Sequence, residues 1–224
     1  MTHESARDEI LKRLKSARRG KPPARRELPP LNELSLDREG MIKKFSDQLW
    51  LQTGVVHRVA DTRAALEKLS EVAREEKLEK VMVATDSVIA PLDLPAWGAA
   101  QGITIFRVRD FMNRDAFKHA VFNEVQAGIT GADFAVAETG TLGLIHDKDQ
   151  ARLISLAPIL HIVIVPADRF VAVYEQAIEE VFADTARLPS QFCFITGPSM
   201  TADIQATPFK GMHGPRRLIV IIIG

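Results

Sequence analysis

The feature that most constrains the fold of this chain is an alternation of two hydrophobic periods from Val55 onward. Short apolar runs at Val55–Val59, Lys80–Ala84, Ile103–Val108, Phe134–Ala137, Thr141–Ile145, His161–Val165, Phe192–Thr196 and Leu218–Ile223 read as strands. Between them lie segments of helical spacing. Asp61 caps a helix carrying Ala64, Ala65, Leu69 and Val72, a second spans Asp115–Ala127, and a third starts at Asp168 and runs through Val171, Tyr174, Ile178 and Phe182. A strand buried on both faces has no polar side to alternate with, so apolar runs separated by helices specify βα units. The expected class is α/β, a mostly parallel sheet flanked by helices.

Upstream, Met41, Ile42, Phe45, Leu49 and Trp50 mark another helix, stopped by Gly54. Ser5 to Asp8 resembles a capping box ahead of Ile10, Leu11 and Leu14, a short amphipathic helix too marginal to stand alone in water. Gly20 and the prolines 22, 23, 29 and 30 then read as a linker. The expected organisation is residues 1–30 as a basic helix and Pro-rich linker, and residues 31–224 as the α/β domain. Lys+Arg 29 against Asp+Glu 29 removes the electrostatic footprint of a dedicated nucleic-acid binder. Residues 1–44 nevertheless hold 12 Lys/Arg against 7 Asp/Glu, which suits a solvated arm or a docking arm for an acidic partner. The single cysteine, Cys193, excludes a disulfide framework, a cysteine-based zinc site and an iron–sulfur cluster held by this chain alone. The most apolar stretch, Leu153–Val165, is broken by Ser155, Pro158 and His161 and is too short for the ~30 Å of a bilayer core. With no apolar core of a signal peptide at the amino terminus, the expected setting is the cytoplasm, without membrane insertion.

Ligands of open α/β sheets collect beyond the carboxyl ends of the strands, which directs attention to the segments leaving Ala84, Ala137, Val165 and Thr196. Four stretches carry candidate chemistry. Glu138-Thr139-Gly140-Thr141 is the exit of a buried strand. Its hydroxyls and freed amides suit an anion-binding nest, and Glu138 suits a nucleophile or base; a plain Thr-Gly hairpin turn is the simpler alternative. Arg152 offers a fork for a carboxylate, and His161 opens an apolar strand either as a hydrogen-bonded core residue or as a catalyst beside a carboxylate. Thr196-Gly197-Pro198-Ser199, with Thr201 and Asp203, reads as a strand entering a helical turn, whose amides attract anions or are simply capped by Ser199 or Asp203. Gly211 to Pro215 is a glycine-bounded loop that carries His213 and Gly214, and a plain turn is equally consistent. Dinucleotide, phosphate-loop, zinc-protease and nucleophile-elbow signatures are absent, and no two histidines stand at i, i+4, so no metal is expected. His146-Asp147-Lys148-Asp149 reads as a polar turn ending a strand.

Taken in order, Thr130-Gly131-Ala132-Asp133, Ala137-Glu138-Thr139-Gly140-Thr141, Pro158 with His161-Ile162-Val163, Gly197-Pro198-Ser199 with Thr201-Ala202-Asp203-Ile204, and His213-Gly214-Pro215 resemble the LUD-domain family. The resemblance is most specific from Glu124 to Gly224. It implies a fold akin to the isomerase, deaminase and CoA-transferase superfamily, and a part in the oxidation of L-lactate to pyruvate by an iron–sulfur-containing, multi-subunit system. This chain would be the subunit without a redox centre. The clusters would sit on partner proteins, and a small carboxylate or other anionic ligand would bind here. Met200 stands where the family pattern implies a basic residue, and Gln205 where it implies an acidic one.

On that expectation Glu138, Thr139, Gly140 and Thr141 form one wall of a site. Gly197, Pro198, Ser199, Thr201 and Asp203 form another, with Arg152 and His161, or His213 beside Gly214, supplying charge. The alternative expectation is a self-sufficient acyl- or CoA-transferase-like or ligase-like enzyme with Glu138 as nucleophile, and a further one is a scaffold whose motif residues only hold turns.

Overall fold

The computed structural model describes residues 6–17, 34–183, 188–189, 191–202 and 208–224. Contacts divide the chain into two units, Met1–Asn32 and Glu33–Gly224. In the first, α1 (Ala6–Ser16) carries acids in its first turn and bases in its last, matching the helix dipole, and Arg13 pairs with Glu9 at 2.6 Å. The cap expected at Ser5 and the linker lie outside the described residues.

The second unit begins with α2 (Arg38–Leu51), whose N-cap Asp37 accepts from the Gly40 amide at 2.8 Å. It buries Ile42, Phe45 and Leu49, but Trp50 faces solvent at 73% exposure, one step off that stripe. Gly54 does stop the helix, though not through its own conformation: Thr53 takes the left-handed turn at φ 65°, and a Cβ on Gly54 would lie 2.6 Å from Leu49. There follow β1 (Val55–Val59), α3 (Thr62–Glu75), β2 (Lys80–Val83), α4 (Leu94–Gln101), β3 (Thr104–Phe106), α5 (Arg114–Asn123), β4 (Ala127–Gly131), β5 (Phe134–Val136) and β6 (Thr141–His146). The remainder is α6 (Leu153–Leu156), β7 (Leu160–Pro166), β8 (Phe170–Val171), α7 (Tyr174–Phe182), β9 (Gln191–Ile195), β10 (Met200–Ala202), β11 (Pro208–Lys210) and β12 (Arg217–Ile223). Asp61 caps α3 as its sequence implies, accepting from the Ala64 amide at 2.8 Å.

Six strands form a sheet of order β1-β12-β7-β4-β2-β3, and every pairing in it is parallel. Successive side chains point to opposite faces, and the two cores follow that alternation. Val81, Val83, Ile129, Ile162, Ile164, Ile219 and Ile221 pack with Leu69 and Val72 of α3 and Leu94 and Trp97 of α4. On the other face, Val163, Val165, Val220 and Ile222 meet Phe45 and Leu49 of α2, while Met82 and Ala84 meet Phe117 and Val121 of α5. Burying side chains of this size stabilises the fold by about 1.5–3 kcal/mol each. β12 lies inside the sheet, between β1 and β7.

A second sheet, β8-β5-β6-β9, is mostly antiparallel and packs Leu142 and Leu144 into the α2 core. The chain expected as one helix from Asp168 is different here. Phe170 and Val171 pair with Ala135 and Val136 as β8, and α7 starts only at Tyr174, with the Ala172 amide bonded to Gln176 Oε1 at 2.8 Å. The helix expected over Asp115–Ala127 ends at Asn123, because residues 127–131 form β4 at the centre of the large sheet. Gly128 and Gly131 make that stretch look like a loop, but they serve close packing. A Cβ on Gly128 would lie 1.9 Å from the Ile154 carbonyl oxygen, and one on Gly131 would lie 2.3 Å from Asp86 Oδ1.

Candidate functional site

The chain leaves β2 toward β3 on one side of the sheet and leaves β4 to return as β7 on the other, so the strand order reverses between β2 and β4. Two carboxylates occupy the exits at that reversal. Asp86 accepts from the amides of Val88 and Ile89 at Oδ1 and from Gly131 at Oδ2; Asp133 accepts from Ile145 at 2.6 Å. Burial raises the pKa of each, and the charge of Asp86 raises Asp133 further. Neither was expected as a site residue, although Asp86 follows Ala84 at a strand exit and Asp133 closes the Thr130-Gly131-Ala132-Asp133 stretch of the family pattern.

The segments expected to converge do so in part. A cavity of about 200 Å³ is lined by His161 and Leu218 of the large sheet, Ser155 and Leu156 of α6, Thr196, Gly197 and Ser199 after β9, and His213 with Gly214 before β12. Two backbone bonds hold the last two segments together: the Ser199 amide donates to Pro215 O at 2.8 Å, and the Gly211 amide donates to Ser199 O at 2.9 Å. These bonds also account for the absence of the helical turn expected after Ser199. Residues 200–202 form β10, which pairs with β11 and sets Met200 opposite Lys210. Thr201 lies in that ladder, Pro198 is buried beside the cavity, and Asp203 and Gln205 lie outside the described residues.

His161 is fully buried. Its Nε2 is 2.8 Å from the hydroxyl of Thr130, two positions along the neighbouring strand from Gly128, and its Nδ1 has no partner. Burial, with a smaller contribution from His146, lowers its pKa from 6.5 to about 3. The ring is therefore neutral at physiological pH, able to share one hydrogen bond through Nδ1 but unable to serve as a resident imidazolium. Among the described residues no carboxylate is bonded to it.

The Thr139 and Thr141 hydroxyls lie one step behind the cavity wall. Thr141 Oγ1 is 2.9 Å from Thr139 Oγ1, 2.9 Å from Tyr174 Oη and 2.8 Å from Thr196 Oγ1, and Thr196 lines the cavity. Gly140 sits in the hairpin turn between β5 and β6 at φ 67°, donating to Val136 O, while the Glu138 amide donates to Ala172 O. Two amides of the expected nest, those of Glu138 and Gly140, are thus engaged by carbonyls. Glu138 is half-buried and does not line this cavity. Arg152 is exposed and lines a different one, with His146 and Lys148. Among the described residues no group of three or more His, Cys, Asp or Glu could hold a metal ion. Among the described residues no helix is long and apolar enough to cross a membrane.

The LUD domain model matches residues 42–223. The chain is 33% identical to Lactate utilization protein C of Deinococcus radiodurans over 168 residues, 75% of this chain and 76% of that protein. It is 34% identical to the protein of the same name from Shouchella clausii over 158 residues, 68% of each. Against the Oceanobacillus iheyensis protein of that name the match is 37% over 106 residues, so there the chain spans 46% of the relative. Among solved structures, a DUF162 family protein from Deinococcus radiodurans superposes with a TM-score of 0.61 at 24% identity, covering 85% of this chain and 100% of that one, which speaks to the fold alone. By the extent of the domain match and of the first of these alignments, the chain belongs to the LUD-domain family.

Proposed function

We propose that this protein serves lactate utilisation as a subunit without its own redox centre, holding a small carboxylate in the cavity between His161, Ser199 and His213. Its resemblance to proteins named for lactate utilisation supports the process. The convergence of those three residues supports the site. At about 200 Å³ the cavity is smaller than the 300–1,000 Å³ of drug-sized pockets and suits an acid of a few carbons. Within it, the Ser199 and Thr196 hydroxyls and His161 Nδ1 provide hydrogen bonds, and the Thr139–Thr141–Tyr174 hydroxyl cluster fixes the orientation of Thr196. A neutral His161 suits the bound carboxylate as a hydrogen-bond donor, with its proton on Nδ1 and Nε2 accepting from Thr130.

Oxidation of L-lactate to pyruvate releases two electrons and two protons. A single cysteine supplies one of the four thiolates that an iron–sulfur cluster needs. On this reading the electrons pass to clusters on partner proteins, and this chain positions the acid. The test mixes the purified chain with candidate iron–sulfur partners and follows lactate-dependent dye reduction. The expected result is no turnover by the chain alone, turnover in the mixture, and loss of most of it with Ser199→Ala or His213→Ala. Dye reduction by the chain alone, or a mixture indifferent to its omission, would refute the proposal.

A further inference from the structure

We propose that the larger cavity beside α5, about 690 Å³ in volume, binds an organic anion of nucleotide size that carries two or more negative charges and a flat apolar portion. This site is separate from the one assigned above and does not depend on it. Three cations line it: Arg114 from the first turn of α5, and Lys148 and Arg152 from the segment joining β6 to α6. All three are exposed, and none forms an ion pair with another described residue. The one acid in the wall, Asp147, has its Oδ1 committed to the amides of Asp149 and Gln150, at 2.7 and 2.9 Å. Asn113 and Arg114 also place the positive end of α5 at the cavity.

The same cavity has an apolar wall. Phe111 and Phe117 line it with ring centroids 5.8 Å apart in an edge-on pair, which offers a surface for a flat group. A volume in this range is that of cofactor and nucleotide pockets.

The second, independent observation is His146, which lines the same cavity and is only 4% exposed. Its Nδ1 is 3.2 Å from Gln150 O, and a carbonyl can only accept, so Nδ1 carries the proton. Burial and the nearby Arg152 lower the ring's pKa against that hydrogen bond, leaving it neutral with a bare lone pair on Nε2. That atom is buried without a partner. Such an atom is rare in a folded protein, because a buried acceptor without a partner forfeits its hydration uncompensated. An N–H or O–H donor on a bound ligand would satisfy it, so the site specifies a donor as well as charge.

The experiment is calorimetric titration of the full chain at low salt with ADP, inorganic pyrophosphate and adenosine. The expected result is saturable ADP binding, roughly tenfold or more tighter than either pyrophosphate or adenosine, since one supplies only charge and the other only the flat donor-bearing group. Arg114→Glu and Lys148→Glu, both at exposed positions, should each weaken ADP binding by about tenfold while leaving the unfolding midpoint in place. The proposal is overturned if ADP does not saturate, if pyrophosphate or adenosine binds equally well, or if the two charge reversals leave the affinity unchanged. Displacement of ADP by L-lactate would also overturn it, because both would then share one site.

Discussion

Replacing His161 with glutamine should flatten the acid side of the protein's stability profile. Glutamine keeps a polar group that can share a hydrogen bond with Thr130 but cannot titrate. In the native state burial holds the imidazole near pKa 3, against 6.5 in the unfolded chain. Below pH 6.5 the unfolded chain therefore takes up a proton that the native state refuses. Stability contributed by the neutral ring is present in full above 6.5, falls as pH drops, and levels off near 3, where the native ring titrates. Each pH unit inside that window is worth about 1.4 kcal/mol. Urea unfolding at roughly pH 7.5 and 5.5 crosses about one unit of it, so the wild type should lose about 1.4 kcal/mol more than His161→Gln. The burial-lowered His57 and His146 are present in both proteins and cancel in the difference. Stability profiles that run parallel would refute the reasoning, because His161 would then be charged or hydrated in the native state. The neutral hydrogen-bonding role assigned to it would fail with it.

Two further substitutions test the frame around the site. Gly128→Ala should cost about 3 kcal/mol, since its methyl group meets the Ile154 carbonyl oxygen at 1.9 Å and backbone must move; the melting midpoint should fall by roughly 6–12 °C. Thr141→Val preserves shape but removes the hydroxyl shared by Thr139, Tyr174 and Thr196, so a loss of about 1–2 kcal/mol in urea unfolding is expected, together with weaker carboxylate binding.

The parallel sheet was legible because strands such as Ile162–Val165 and Leu218–Ile223 are apolar on both faces, a pattern that few other environments tolerate. β4 was not, because its two glycines answer to Ile154 and Asp86, contacts that no local pattern records. The same limit explains Val171: its apolar neighbours fit helical spacing as well as a strand, and only the pairing with Val136 decides. Of the site, Ser199, His161 and His213 could be named from turns and strand ends. Thr130, Tyr174 and Thr196 could not be assigned roles, since each acts through a hydroxyl whose partner is distant in sequence. Arg152 has the right chemistry for an anion, yet the β6–α6 segment carries it into another cavity.

The place of β12 within the large sheet has a consequence for biosynthesis. Val55 finds its neighbour only in Ile219, so one border of β1 and one of β7 stay open until nearly all the described chain has left the ribosome. Closing the gap means threading a segment that is apolar from Leu218 to Ile223 between two waiting edges, a slow, non-local event that exposes sticky backbone in the meantime. Ribosome-bound chains halted before Arg217 should therefore be the species that chaperones hold and proteases cut.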